Sequence, residues 1–400
     1  MADSDEITIE VVSSAEAVGR VEWDGVANPA SDPTSEFDYN PFQSFAFFDA
    51  LEQSGSATGR TGWLPQHLVM RDADKAVLGI VPCYLKNHSQ GEYVFDYGWA
   101  DAFERAGGDY YPKLQASVPF TPASGRRLLV GNGPDAKRHR LMLAGGLAEV
   151  CSRLDASSAH ITFLPEDEWN LLGKNGYLRR SHQQFHWLND NYESFGQFLE
   201  ALSSRKRKNI RKERKAALEG NGITIDWLTG DQLTEEIWDR FFQFYIDTGS
   251  RKYGQPYLTR DFYSRIGETM ADDIVLMMAK RDGQYVAGAI NFVGSHTLFG
   301  RHWGCVEDHP FLHFEVCYYQ AIDYAIKHGL ERVEAGAQGS HKLARGYMPQ
   351  TTHSAHYIAH PDFRRAVEDY LEMERREVAR ENEIIAQHGP FRESAGDKND

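Results

Sequence analysis

Apolar positions recur at two periods along this chain, and the alternation of the two predicts a mixed α/β protein. Ile7 to Val12 reads as a strand. Phe42, Phe45, Phe48 and Leu51 follow helical spacing, and Gly55 ends that run. His67–Met70 and Ala76–Leu85 read as strands joined by a turn at Asp72 to Asp74, and Glu92–Asp96 reads as a third. A helix is expected from Gly131-Asn132-Gly133-Pro134 to Leu154. Then come a strand (Ala159–Leu164), a helix (Pro165–Lys174) and a strand (Arg180–Leu188). The second half repeats the theme. Ile223–Leu228 is a strand, Thr234–Gly249 and Thr259–Ala271 are helices, and Ile274–Lys280, Tyr285–Val293 and Thr297–Trp303 form a meander. His313–His328 is a helix closed by Gly329, as a C′ glycine closes one. Glu331–Ala335 and Thr351–Ala359 are strands, and a charged helix runs from Asp362 to about His388.

The two halves share a core motif. Val77, Gly79 and Val81 in VLGIVPCYLK match Val286, Gly288 and Ile290 in VAGAINFVGS, each between strands and each followed by a tryptophan, Trp99 or Trp303. Two copies of one α/β unit are expected. Boundaries fall at 1–195 for the first unit, 196–222 for a basic linking helix, 223–360 for the second unit and 361–400 for a charged helix and tail.

Charge narrows the partners. The chain has a formal net charge of −15 with 41% hydrophobic residues, which suits a globular protein that repels DNA and anionic membranes. One stretch departs from this: Arg205 to Lys215 holds eight basic residues and one acid. On a helix, Arg207, Arg211 and Arg214 cluster beside the apolar stripe of Ile210 and Ala217. They are phosphate-binding candidates, although charge runs are usually solvated faces. The four cysteines are scattered, with no pairing that suggests disulfides, and no His or Cys spacing suggests a metal. The start MADSDEITIE lacks the apolar core of a signal peptide, and no run is long enough to span a membrane, so a cytoplasmic protein is expected.

Two segments carry candidate chemistry. Asp96 to Gln115 mixes Asp96, Trp99, Tyr111 and Lys113 with glycine and proline, as a pocket wall does; a packed aromatic loop is the equal alternative. In the 313–328 helix, Glu315 falls on the apolar side, with His313, Gln320, Asp323 and Lys327 on the polar stripe. A buried carboxylate is either an ion-pair partner or an acid or base. The loop that follows holds Gln338, His341, Lys342 and Arg345. Glu315, His341 and Lys342 are the catalytic candidates. Asp96, Trp99, Tyr111, Lys113, Gln338 and Arg345 are the substrate-binding ones.

The order of hairpin meander, helix and short strand resembles the GNAT acyltransferase unit, and two in tandem resemble the Fem-type peptidoglycan aminoacyltransferases. RKRKNIRKERK before NGITI resembles the junction of the two Fem units. NPFQSFAFFDALEQSGS, YLKNHSQGEYVFDYGWADAFERAGGDYYPKLQASVPFTP, HFEVCYYQAIDYAIKHGL and EAGAQGSHKLARGYMP resemble the FemAB-like family of N-acyltransferases, over roughly Asn40 to His360. The resemblance implies a tandem pair of GNAT-like units joined by a basic helix, and transfer of an acyl or aminoacyl group to an amine, with a peptidoglycan or other cell-envelope precursor among the acceptors. Aminoacyl-tRNA and acyl-CoA are the two donor readings. Acetyl transfer from CoA to a small amine is the alternative activity, and a non-catalytic double module that binds ligand is the alternative class.

Overall fold

The computed structural model describes residues 6–29, 38–252, 256–336 and 339–392. The chain divides into two compact units. The first comprises 1–182, 257–269 and 351–379, and the second 183–256, 270–350 and 380–400. The boundaries differ from the linear ones expected from sequence. The basic helix, Ser204–Leu218, belongs to the second unit rather than standing between two. The helix Arg260–Thr269 and most of the C-terminal helix Pro361–Gln387 cluster with the first. The physical reason is packing. Arg260–Thr269 lies against Phe45–Gln53, where Phe262 meets Phe47 edge-on at 5.7 Å.

The first unit begins with an antiparallel sheet ordered Thr8–Val12, His67–Arg71, Val77–Val81, Leu129–Val130. The second begins with Ile223–Leu228, Ile274–Arg281, Gln284–Val293, Thr297–Cys305, in the same order and also antiparallel. The two V-x-G motifs therefore occupy the third strand of each sheet. Their glycines face methionines on the strand before: Gly79 pairs with Met70, and Gly288 with Met278. A Cβ at Gly79 would lie 2.8 Å from Val130 and 2.9 Å from Leu143, and one at Gly288 would lie 2.5 Å from the Met278 sulfur. Glycine lets the adjacent strand and, at Gly79, the helix that carries Leu143 approach this closely. In each unit a helix then a strand follows the fourth strand: Ala136–Arg153 and Ser158–Leu164 in the first, Leu312–Lys327 and Arg332–Glu334 in the second.

Two expected elements are corrected. Ala76–Leu85 is two strands. Val77–Val81 stays in the four-stranded sheet, while Tyr84–Lys86 pairs with Trp63–Pro65 and Lys113–Ala116. Pro82, which lacks an N–H for the ladder, separates them. Glu92–Asp96 forms no strand. Instead Asp96 caps the helix Tyr97–Arg105, its carbonyl accepting from Trp99 N and Ala100 N at 2.9 and 3.0 Å. The helix Arg20–Ala27 was not expected. No described helix is long and apolar enough to cross a membrane.

Candidate functional site

The first unit has a second layer of strands in which Lys113–Ala116 runs parallel to Ser158–Leu164, and that strand pairs antiparallel with His353–Ile358. Side chains alternate along them, so one face collects every second residue. Leu114, Ala116, Ala159, Ile161 and Ala355 point into the apolar core. On the opposite face stand eight polar residues, Lys113, Gln115 and Ser117, then Ser158, His160 and Thr162, then Ser354 and His356, with the apolar Ile358 beyond them opposite Ser158. All eight are at least 97% buried. A buried polar face is costly unless its groups find partners.

Lys113 anchors it. Its ammonium donates to Glu92 Oε2 at 2.7 Å, to Ser89 Oγ at 2.8 Å and to Asp96 Oδ2. Tyr110 also donates to Asp96 Oδ2, at 2.6 Å, and Tyr111 meets Ser89 at 2.8 Å. Lys86 stands 3.9 Å from Glu92 Oε1 and 3.5 Å over the Trp63 ring, donating to the Gln90 carbonyl. Burial disfavours charge on all four ionisable groups, and their mutual attraction decides the outcome. Burial and the neighbouring Asp96 charge push Glu92 up to about 7, against Lys113. Burial brings Lys86 down to about 7. Burial works against the charge on Lys113, but Glu92 and Asp96 raise its pKa overall; burial likewise opposes the Asp96 charge, and Lys113 holds it well below the usual carboxylate range. The cluster is incomplete. Glu92 Oε1, Asp96 Oδ1, Gln115 Oε1 and Ser117 Oγ are buried without a hydrogen-bond partner among the described residues.

Asp96, Trp99, Tyr111 and Lys113, named from sequence, thus come together. Trp99 packs on His356 at 5.0 Å and on His160 at 6.2 Å, with Arg180 4.9 Å above its ring. Its other side lines a groove of about 740 Å³ with Phe95, Phe103, Phe363 and Tyr370. Sequence reading passed over Glu92, His160 and His356. The signal was present in the strict alternation of KLQASV from Lys113 and SAHITF from Ser158, which reads as strands with one wholly polar face.

The second unit treats its charges differently. Glu315 is fully buried, at the start of a π-helical turn, Glu315–Tyr319, inside the expected helix. Arg214 donates to it through Nε at 3.2 and 3.1 Å and through Nη2 at 2.9 Å, and Gln320 donates at 2.7 Å. Burial raises the Glu315 pKa and Arg214 opposes the rise. Arg214 also meets Asp323 at 2.7 Å. The contacts of Glu315 are with Arg214 and Gln320, not with His341 or Lys342, so this geometry favours the ion-pair reading over the base. Arg345 holds Glu213 at 3.0 Å, donates to the His341 carbonyl at 2.8 Å and lies 3.5 Å over Phe314, so its two Nη atoms are engaged within the fold, while its Nε is buried without a hydrogen-bond partner among the described residues. Lys342 donates to the carbonyls of Ala335 and Gly336 at 2.6 and 2.9 Å, and burial lowers its pKa to about 8. It fastens the glycine-rich loop. The exposed His341 meets Tyr318 OH at 2.9 Å. Gln338 lies outside the described residues. Of the three arginines, Arg214 is consumed by the Glu315–Asp323 pair. Arg207 and Arg211 form no side-chain ion pair among the described residues, and Arg211 is exposed.

The two units repeat one mixed α/β fold in tandem. The chain belongs to the FemAB-like family, described as peptidoglycan biosynthesis and recognition, whose profile matches residues 14–393. No curated protein matches the sequence. Among solved structures it is similar to FemX, at 12% identity over 91% of this chain and 100% of that one, with a TM-score of 0.54. It is also similar to the C-terminal domain of a putative lysylphosphatidylglycerol synthetase from Agrobacterium fabrum, at 12% identity over 88% and 96%, with a TM-score of 0.53. A conserved protein of unknown function from Bacteroides thetaiotaomicron aligns at 11% identity over 88% and 100%, with a TM-score of 0.52.

Proposed function

We propose that this protein is a Fem-type N-acyltransferase that moves an aminoacyl group from aminoacyl-tRNA to a primary amine on a cell-envelope precursor. The observation that carries this reading is the incomplete charge cluster of the first unit. Among the described residues Glu92 Oε1 and Asp96 Oδ1 are buried acceptors without a hydrogen-bond donor, Lys86 reaching only 3.9 Å from the former, and an unmade buried hydrogen bond costs about 1–3 kcal/mol. An ammonium brings three N–H donors and a positive charge, which is what two carboxylate oxygens require. The amine must then lose a proton to become nucleophilic. Glu92, pushed up to about 7 by burial, suits proton uptake near neutral pH. The amine nitrogen attacks the ester carbonyl, the amide C–N bond forms, the ester C–O bond breaks, and the released tRNA oxygen takes up a proton. Positioning supplies much of such a rate, so no covalent nucleophile is needed. In the second unit, Lys342 holds the glycine-rich loop, and Arg207 and Arg211, which form no side-chain ion pair among the described residues, suit a polyanionic donor.

The test is amide formation by the purified full chain. Total tRNA charged with labelled amino acids would be mixed with soluble nucleotide-linked muramyl peptides bearing a free amine, and products followed by mass spectrometry. Labelled peptide that disappears after RNase treatment supports the reading. Acetylated product from acetyl-CoA without tRNA contradicts it.

A further inference from the structure

A continuous file of hydrogen bonds crosses the polar face of the first unit and ends on Asp96. His182 Nε2 lies 3.1 Å from Ser354 Oγ, which lies 2.9 Å from His356 Nε2. His356 Nδ1 and His160 Nδ1 are 2.6 Å apart. His160 Nε2 lies 2.8 Å from Ser158 Oγ and 3.4 Å from Tyr110 OH, and Tyr110 donates to Asp96. The histidines at the centre face each other because His160 and His356 are direct partners across the antiparallel ladder. Only one proton fits between two Nδ1 atoms, so the tautomer of one ring fixes that of the other.

The ends of the file decide its direction. Ser157 gives its hydroxyl proton to the Tyr110 carbonyl, so toward Ser158, 3.1 Å away, it can only accept. Ser158 therefore spends its proton on Ser157, and Tyr110 spends its own on Asp96. Both neighbours of His160 Nε2 are left as acceptors, so Nε2 carries the proton and Nδ1 does not. His356 then donates from Nδ1 and accepts at Nε2 from Ser354, and Ser354 accepts from His182 Nε2–H. The opposite direction leaves the Ser157–Ser158 and Tyr110–His160 contacts without a proton between them.

We propose that Ser354, His356 and His160 are positioning residues. Their hydrogen bonds run from His182 to His160 Nε2, where they divide between Ser158 at 2.8 Å and the Tyr110 hydroxyl at 3.4 Å; through Tyr110 they hold the Oδ2 edge of Asp96 so that Oδ1 stays free for the ammonium of the acceptor amine. This rests on the amine-site reading above and adds to it a set of residues, reaching out to the partly exposed His182, that touch no substrate. From His182 to Tyr110 the bonds point one way, so each polarises the next and strengthens the donor that reaches the carboxylate. Lys113, beside Asp96, and Arg180, over Trp99, are the fixed charges that flank the file.

Two measurements on the full chain test it. The first is nitrogen-15 NMR of labelled histidines, assigned with His160→Gln and His356→Gln. The expected result is a neutral His160 protonated on Nε2 and a neutral His356 protonated on Nδ1. The reverse pair of tautomers, or a cationic ring at pH 7, overturns the proposal. The second is calorimetric binding of 1,5-diaminopentane. Ser354→Ala, a small and conservative change, should weaken binding about three- to tenfold, and Asp96→Asn should abolish it. If Ser354→Ala does not fold, His356→Gln replaces it with the same expectation. Unchanged affinity in a folded file variant overturns the positioning role while leaving the amine site standing. Failure of the wild-type protein to bind the diamine overturns the amine site itself and the positioning role with it.

Discussion

The two units carry the same strand order and the same pairing of a glycine with a methionine across the ladder, yet they handle buried charge in opposite ways. In the second unit every acid at the opening of the 312–327 helix is matched. Glu315 takes four hydrogen bonds from Arg214 and Gln320, and Glu213 is matched by Arg345 and Tyr319. In the first unit Lys113 is shared between two carboxylates that each keep an oxygen without a hydrogen-bond donor among the described residues, Lys86 standing 3.9 Å from that of Glu92. A saturated ion pair is a structural element. An unsaturated one, at equal burial, stores a preference for a ligand. Under the proposed function, this contrast is the reason for assigning the chemistry to the first unit.

The contrast can be broken at several points. The largest effect is expected from Lys113→Met, which leaves Glu92 and Asp96 buried and uncompensated. A loss of about 3–5 kcal/mol in denaturant unfolding is expected. Arg214→Met, at a side chain 20% exposed, should cost less, about 1–3 kcal/mol. Equal losses would remove the distinction between the clusters.

Acid should act next. Burial lowers His160 and His182 to about 3 and His356 further. Each is neutral in the fold and binds a proton in the unfolded chain below about pH 6.5. The unfolded state then holds more protons, so their contribution is complete above about pH 6.5 and is lost as pH falls toward 3. Melting temperature should drop steeply across that window, and His182→Gln should flatten the slope. A slope unchanged in that variant would mean that His182 is already charged in the fold.

Smaller effects come from the shared framework. Gly79→Ala meets Val130, Leu143 and, at 3.0 Å, the Leu129 carbonyl, whereas Gly288→Ala mainly meets the flexible Met278. The first should cost about 1–3 kcal/mol and the second less. The reverse ranking would show that the two third strands are not packed alike. The smallest effect is expected from Arg207→Ala and Arg211→Ala, within about 0.5 kcal/mol of wild type in stability. Any consequence there should appear only in binding of tRNA, as a reduced dependence of affinity on salt.

Much of the fold was legible because it is written in period and punctuation. Glycines marked helix ends, as Gly329 does at φ 67°. The repeated V-x-G marked the third strand twice. Pairing across the ladder was not legible. Nothing in the sequence says that His160 stands opposite His356, 196 positions away, or that Arg214 of the basic helix would be drawn to Glu315. The helical projection placed Glu315 on the buried side but could not name its partner. The alternation in KLQASV was readable, but a polar face on a buried strand runs against the usual pattern of burial.

The central claim is tested most directly by measuring turnover per folded molecule for Glu92→Gln and Glu315→Gln side by side in the tRNA-dependent amide assay. Glu92→Gln is expected to fold and to lose roughly 10²–10⁴ in rate. Glu315→Gln is expected to lower the melting temperature and to retain its turnover within a few-fold. The opposite result, a fast Glu92→Gln and a stable but inactive Glu315→Gln, would contradict the assignment and move the chemistry to the second unit.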